Sequence, residues 1–226
     1  MYKYDLHMHT IEGSACGRSS IHDMIRRLHS LGFSGAAVTN HFLGGNTSVD
    51  RSLPWEEIVK EFSVAYEEGL KTAKELDFDL FFGLEQGYGN GKEFLVYGIT
   101  PQFLYDRPVL RSNSLKLWYD EIHAAGGFLA YAHPFRDRAY IKNADEMPDL
   151  SLCDGIEVYN YCNLPHENEK AFETFSKTDK ILIAGGDHHA DSLQDSYGVE
   201  FSERVRTGDA LVAHLLSGDF RLSIGR

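Results

Sequence analysis

An α/β domain is the fold class that this sequence predicts, and three observations support it. Short apolar runs alternate with longer amphipathic segments about six or seven times along the chain, which calls for right-handed crossovers and a parallel sheet. The runs themselves are apolar almost without interruption, as strands covered on both faces are. A length of 226 residues suits one such domain, which buries roughly 70% of its unfolded surface.

Residues 3–6 are the first strand. Over residues 20–31, Ile21, Met24, Ile25, Leu28 and Leu31 recur at helical spacing, and Gly32 ends that helix. Residues 35–39 are the next strand. Pro54 opens a helix reaching about Leu76, as proline does at a first turn, with Ile58, Phe62, Ala65, Tyr66, Gly69 and Ala73 on one side. Residues 78–85 and 93–99 read as two strands joined by a hairpin turn in Gly87-Tyr88-Gly89-Asn90-Gly91. A helix over 114–125 stops at Gly126 and Gly127. Strands at 128–133 and 155–159, a helix at 166–177, a strand at 181–185, a helix at 207–217 and a last strand at 220–224 complete the order. Periodicity does not choose between a closed barrel and an open doubly wound sheet. No G-x-G-x-x-G follows the first strand and no G-x-x-x-x-G-K-[ST] occurs, so dinucleotide and P-loop readings lose support.

Composition narrows the function. A net charge of −12 argues against a surface for extended nucleic acid, which needs Lys and Arg to replace phosphate counterions. The excess of carboxylates is a solvated acidic surface, a set of metal ligands, or both. Cys16, Cys153 and Cys162 are odd in number, widely spaced and without a C-x-x-C pair. A disulfide framework is therefore not expected, and a reducing, cytoplasmic compartment is. No run approaches the ~18 apolar residues of a membrane span.

The strand ends carry the chemistry. His7 and His9 follow the first strand and His41 the second; Glu85 ends the run at 78–85 and Glu93 opens the next. His133 ends the strand at 128–133, and Asp187 and His189 follow the one at 181–185. In parallel α/β folds the carboxyl ends of strands are where functional groups converge. Imidazole with carboxylate is a ligand set for zinc, manganese or iron rather than calcium or magnesium. In an extended segment residues i and i+2 point the same way, so both rings of His7-x-His9 reach one ion. Asp187-x-His189 repeats that geometry. By contrast His22, His29, His123, His166 and His214 lie on or near helices and read as surface or boundary residues. His188 alternates away from its neighbours, and Glu157, inside a strand, reads as a supporting residue.

Taken in order, these residues resemble the PHP (polymerase and histidinol phosphatase) superfamily, whose pattern runs D-L-H-x-H-T, T-D-H, G-x-E, A-H-P and G-S-D-x-H. This chain has Asp5-Leu6-His7-Met8-His9-Thr10, Thr39-Asn40-His41, Gly83-Leu84-Glu85, Ala132-His133-Pro134 and Gly185-Gly186-Asp187-His188-His189. The resemblance covers almost the whole chain. It implies one catalytic domain over residues 1–226, a distorted, TIM-barrel-like (β/α)7 barrel with two or three divalent ions (Zn, Mn or Fe) at its carboxyl face. It implies that His7, His9, Glu85 and Asp187 hold one ion, that Glu85 bridges to a second held by His133, and that His41 and His189 hold a third.

The chain departs from the family pattern in three places. Where the family often has a third-ion ligand after the first motif, this chain has residues 11–17, leaving Glu12 or Cys16 to substitute; Glu12 is the expected one. Glu93 stands where a His is usual, which makes the second ion more oxygen-rich and favours manganese or iron. Asn40 replaces the common Asp beside His41, altering a partner of the ligands rather than a ligand.

The implied activity is hydrolysis of phosphoesters on a small metabolite, such as histidinol phosphate, or on a nucleotide. Paired ions activate water and neutralise phosphate, so no protein nucleophile is required, in keeping with a chain that has no G-x-S-x-G elbow. Bidentate phosphate recognition favours Arg. Arg136, three residues after His133, is the expected substrate-binding and catalytic residue, with Arg18 and Arg138 behind it. His189 is the candidate acid for the leaving group wherever it is not a ligand. Two alternatives stay open: an amidohydrolase-like reaction at a C–N bond, and a non-catalytic metal-binding regulatory module. Substrate choice is expected from the loops at 42–53 and 135–150.

Overall fold

The computed structural model describes residues 1–225. In chain order the elements are β1 (Tyr2–Met8), α1 (Ile21–Ser30), β2 (Gly35–Val38), α2 (Trp55–Glu75), β3 (Asp79–Phe82), β4 (Leu84–Gly89) and β5 (Lys92–Tyr97). There follow α3 (Pro101–Tyr105), α4 (Leu115–Ala124), β6 (Phe128–Tyr131), β7 (Gly155–Asn160), α5 (Pro165–Phe175), β8 (Ile181–Gly185), β9 (Gly198–Phe201), α6 (Gly208–Ser217) and β10 (Arg221–Ser223). The helix starts follow local chemistry. Ser20 caps α1 by accepting from the Asp23 N–H at 3.2 Å, and α1 then buries Ile21, Met24, Ile25 and Leu28 in a cluster shared with β2 and α2.

Two five-stranded sheets result, ordered β10-β9-β1-β2-β3 and β4-β5-β6-β7-β8. The runs β1-β2-β3 and β6-β7-β8 are parallel. β9 is antiparallel to both β1 and β10, and β5 to both β4 and β6. The architecture is therefore mixed α/β, not parallel throughout as the strand–helix alternation suggests. The turn at 89–91 explains one exception: Gly89, Asn90 and Gly91 all take positive φ, and a tight hairpin joins antiparallel neighbours without a helix. β9 has Glu200 between Val199 and Phe201, so it shows no continuous apolar run in the sequence.

The apolar run at 78–85 breaks in two at Gly83, where a Cβ would meet the Val96 carbonyl oxygen at 2.7 Å. Its first half pairs with β2 and its second with β5. Among the described residues the strands form no single closed ladder, but the sheets touch along two seams. At one, His41 and Glu85 bridge in parallel; the Phe42 N–H donates to the Glu85 carbonyl at 2.7 Å and the Glu85 N–H to the Asn40 carbonyl at 3.0 Å. At the other, the Asp187 N–H donates to the His7 carbonyl at 2.6 Å and the His9 N–H to the His188 carbonyl at 2.9 Å. Both seams lie at or just past the carboxyl ends of β1, β2, β3 and β8. The residues that make them are those the motifs singled out.

Beneath the first seam, Phe42 packs edge-on against Trp55, Phe62 and Trp118. Edge-to-face aromatic pairs are worth about 0.5–1.5 kcal/mol each beyond area burial, so Phe42 anchors the segment that carries His41. Among the described residues no helix is long and apolar enough to cross a membrane.

Candidate metal centre

β1 alternates. Leu6 and Met8 enter the apolar clusters, and His7 and His9 turn the other way. His7 Nε2 lies 3.1 Å from His9 Nε2, 3.4 Å from Glu85 Oε1 and 3.4 Å from Asp187 Oδ1. His9 Nε2 lies 3.3 Å from Glu85 Oε2 and 3.1 Å from Asp187 Oδ1. Ligands about 2.0–2.1 Å from a tetrahedral ion stand about 3.3–3.4 Å apart. The contacts among these four side chains are of that order, with Glu85 meeting His7 through Oε1 and His9 through Oε2.

Further donors surround that cage. His133 Nε2 is 3.0 Å from Glu85 Oε1 and 3.7 Å from Glu93 Oε2. His41 Nδ1 is 2.9 Å from Glu85 Oε2 and 3.2 Å from Glu93 Oε1. Donor atoms of His9, His41 and His189 also lie within 4.8 Å of one another. His41 thus belongs with Glu85 and Glu93 as well as with His189, a wider set than the motif comparison implies.

Each of these groups is held from behind. Glu157 Oε1 binds His7 Nδ1 at 2.9 Å, and its Oε2 accepts from the His133 N–H at 3.1 Å and from Asn160 at 2.9 Å. The Ser14 hydroxyl pairs with His9 Nδ1 at 3.0 Å, accepts from the His41 N–H at 2.9 Å and donates to Asn40 at 2.9 Å. Asp5 accepts from the N–H groups of His7 and Gly186 and from the Ser196 hydroxyl, at 3.0, 2.8 and 2.6 Å. A Cβ on Gly186 would strike that carboxylate and Ser196, which is why glycine stands there. Such outer partners orient imidazoles and fix which nitrogen is free. Glu157 takes the supporting part expected of it. Ser14, Asn160 and Ser196 were missed, because nothing local marks them.

The electrostatics demand cations. Burial alone would push His7 down, yet Glu157, Asp187 and Glu85 lift it well above the usual imidazole range. His41 behaves alike: burial lowers it and Glu85 raises it further. For Glu85, burial would raise the carboxyl, but His7 and His41 hold it well below the usual range. Asp187 is likewise held down, against burial, by His7 and Arg136. Carboxylates that stay ionised in the interior need compensating charge, from protons on imidazoles or from metal ions. His41 Nδ1 and Glu85 Oε2 are buried without an aligned hydrogen-bond partner among the described residues. Buried orphans of this kind are rare and fit atoms whose lone pairs face an ion. Strain collects here too. His133 and Asp187 have φ of 29° and 56°, a conformation costing non-glycine residues about 1–3 kcal/mol each. The donor set fits divalent ions.

The cluster opens on a cleft of about 560 Å3 lined by Cys16, His41, Glu93, Arg136, Tyr140 and His189, with glycine turns at 44–45 and 87–91 as walls. A Cβ on Gly45 would lie 2.8 Å from His41 Nδ1. Both loops expected to shape specificity reach this cleft; Tyr140 and the 87–91 turn had not been singled out for it. Burial would push the Cys16 thiol up, but hydrogen bonds with His189 and His41 bring it down to about 5. All three cysteines are free.

Four expected site residues behave differently from their sequence reading. Glu12 turns away from the cluster, and its carboxylate accepts the Ile21 N–H at 3.1 Å, at the start of α1. Arg138 pairs with Glu167 at 2.6 Å and does not line the cleft. Arg18 is exposed, and only its backbone N–H meets the site, at the His189 carbonyl, 2.7 Å away. Arg136 does reach the cleft, but its Nη2 is committed to Asp187 Oδ2 at 2.6 Å and Asn160 at 2.9 Å, and its Nε to Asn163 at 2.8 Å. Arginine forks seek carboxylates wherever they are buried together. The helical histidines stay outside: His22 pairs with Thr72 and His123 with Asp154. His188 faces Tyr161 instead.

No protein-family model and no curated protein matches the sequence. Among solved structures, a two-domain protein of Bacteroides vulgatus containing a predicted PHP-like metal-dependent phosphoesterase matches with a TM-score of 0.68 at 15% identity, over 98% of this chain and 64% of that one. This chain shares its fold with that protein. A candidate metal-dependent phosphoesterase of Bifidobacterium adolescentis matches with a TM-score of 0.59 at 14% identity, over 95% of this chain and 96% of that one. The lesion-specific endonuclease Q of Pyrococcus furiosus matches with a TM-score of 0.57 at 10% identity, over 98% of this chain and 57% of that one. At these identities the likeness concerns the fold.

Proposed function

We propose that this chain is a PHP-superfamily, metal-dependent phosphoesterase acting on a small phosphorylated substrate. The observation that supports this most is the convergence of His7 and His9 with Glu85 and Asp187 at contacts of 3.1–3.4 Å. His133 and Glu93 extend it on one side, and His41 and His189 on another. The two hydrogen-bonded sheets are read as one interrupted (β/α)7 barrel forming a single catalytic domain, with the two seams as the interruptions.

Divalent ions held by this set (zinc, manganese or iron) would supply Lewis acidity and an activated water. The chain's own residues do the positioning. Glu157 and Ser14 occupy the Nδ1 atoms of His7 and His9, so each ring presents Nε2 to the cage. Arg136 and Asn160 engage Asp187 Oδ2, leaving Oδ1 to the cage. His189 Nδ1 lies 2.8 Å from the Asp187 carbonyl, so Nε2 alone is left for the cleft. That nitrogen serves as ligand or as acid for the leaving oxygen, not both. Tyr140 stands beside the Arg136 guanidinium at the mouth, where a phosphoryl group would enter.

The cleft volume is that of a small-ligand site. The net charge of −12 sets the chain apart from surfaces that bind extended nucleic acid, even though one protein of like fold is an endonuclease. The test is elemental analysis combined with hydrolysis of a generic aryl phosphate before and after chelation. Two or three equivalents of Zn, Mn or Fe, with activity lost on chelation and restored by metal, are expected. Bound metal with turnover only of amides or lactones would overturn the phosphoesterase assignment. Absence of bound metal would overturn the reading altogether.

A further inference from the structure

We propose that Lys92 is a positioning residue: its buried ammonium ties together the two ends of the loop that carries Arg136 and Tyr140, and so fixes that wall of the cleft for the phosphorylated substrate. This rests on the phosphoesterase reading above and adds to it a residue outside the motif set.

Lysine is almost never buried without a charged partner, because taking an ammonium out of water is costly. Lys92 is only 6% exposed, yet it forms no ion pair among the described residues. Its Nζ donates instead to two backbone carbonyls, that of Pro134 at 2.5 Å and that of Ala144 at 3.0 Å. Charge-assisted bonds of this kind are about twice as strong as neutral ones. Pro134 and Ala144 stand at the two ends of one loop, so a single ammonium draws those ends together. Between them lie Arg136 and Tyr140, which both line the cleft. Pro134 also follows His133 directly, so the same bond steadies a turn in which His133 holds a φ of 29°.

The place of Lys92 on β5 gives the clamp its reference. Side chains alternate along a strand: Glu93 turns to His41 and His133, and Lys92, just before it, turns to the loop. The cleft wall is thereby fastened to the strand that carries a candidate ligand. Its other fastenings act elsewhere. Asp145 pairs with Lys170, and Glu146 accepts from Asn90, at the surface, where water competes for these groups. The Lys142 N–H donates to the Asn90 carbonyl at 3.0 Å, and a Cβ on Gly91 would come within 2.6 Å of the Tyr140 carbonyl oxygen. Those contacts seat the middle of the loop on the 87–91 turn, while Lys92 joins its ends.

Lys92→Met keeps the apolar stem and removes the ammonium. In the metal-loaded full chain it is expected to raise KM for a generic aryl phosphate about tenfold, the low end for a group that acts through another, with kcat and bound metal unchanged. Hydrogen exchange gives a readout independent of turnover. The Arg136, Ile141 and Lys142 amides, all hydrogen-bonded within or across the loop, should exchange about tenfold faster in the variant, while those of β6 and β7 do not. An unchanged KM, or a loss of bound metal, overturns the positioning role and leaves the phosphoesterase reading intact. A raised KM without faster loop exchange overturns it too, since Lys92, which borders the cleft, would then meet the substrate directly. Should Lys92→Met fail to fold, the wild type decides alone: loop amides that exchange as fast as those at the chain termini sink the proposal. Wild-type protein with bound metal and no phosphoester turnover overturns the phosphoesterase reading, and the role of Lys92 in that reaction goes with it.

Discussion

Two polar clusters occupy opposite ends of β1 and its neighbours, and they differ in how far they satisfy themselves. Near the amino ends of β1 and β3, Arg204 binds Asp79 through Nε at 2.7 Å and Nη2 at 3.1 Å, and Asp77 through Nη1 at 2.5 Å. The Tyr4 hydroxyl sits 3.1 Å from Asp79 and accepts the Val205 N–H at 2.8 Å. None of these side-chain atoms is among the buried, unpartnered ones. At the carboxyl ends, five imidazoles and several carboxylates crowd together, two of their atoms have no aligned partner, and two of their residues carry positive φ. Equal polarity thus hides opposite purposes. A cluster that completes its own hydrogen bonds locks the fold, and one that leaves donors over is arranged for something else.

The largest expected effect breaks the second cluster. Glu85→Gln should cost bound metal and reduce phosphoester hydrolysis by more than the roughly 100-fold that losing an outer partner brings. Elemental analysis with steady-state kinetics checks it, and retained metal would remove Glu85 from the centre. Next, chelation should destabilise the wild type by about 4 kcal/mol if the ion is present at 1,000 times its dissociation constant, read as the shift in denaturant midpoint. The same treatment should change little in Glu85→Gln.

Arg204→Ala attacks the self-satisfied cluster. It strands the buried Asp79 carboxylate and should cost about 2–3 kcal/mol, at the low end for a broken pair because Arg204 is partly exposed. Metal content should not change; if it falls, the two ends are not separate.

A smaller effect tests the loop that carries Arg136. Burial would raise Glu167, but the Asp137 N–H, Arg138 and the Leu164 N–H hold it below the usual carboxylate range. A depressed carboxylate stabilises in full above its unfolded value, and loses that contribution as pH falls through its folded value. Glu167→Gln should therefore lower stability by about 1–2 kcal/mol at neutral pH, a gap that narrows below about pH 4. Melting curves across that range decide it; a gap that widens in acid contradicts the sign. The smallest change is Glu12→Gln, worth about 0.5–1 kcal/mol through the start of α1, with metal content unaltered. Loss of metal in that variant would return Glu12 to the ligand set.

Much of the site was legible in the sequence because its signals are short. His7-x-His9 and Asp187-x-His189 state their geometry within three residues, and each further candidate sits at the boundary of a recognisable strand. The α/β class was legible for the same reason: strand alternation and helical spacing are local. β9 and its antiparallel pairings were not: Glu200 interrupts its apolar run, and its pairing with β1 joins segments about 200 residues apart. The hydrogen-bond commitments of the arginines were not legible, because position along the chain says nothing about competition. Arg136 stands near His133 in sequence, yet Asp187, 51 residues further on, claims its Nη2.

The sequence by itself therefore determined the class of fold and the roster of imidazoles and carboxylates at the strand ends, which side-chain periodicity and strand termini dictate. Only the tertiary structure decided which donors meet. It joined β1 to the segment after β8 and His41 to Glu85, set Ser14 behind His9 and Glu157 behind His7, and turned Glu12 toward a helix start while leaving Cys16 in the cleft. Those outcomes depend on hydrogen bonds between segments up to 180 residues apart in the chain, as from Asp187 to His7. A buried polar atom takes the partner that packing brings to it, and no local pattern encodes that choice.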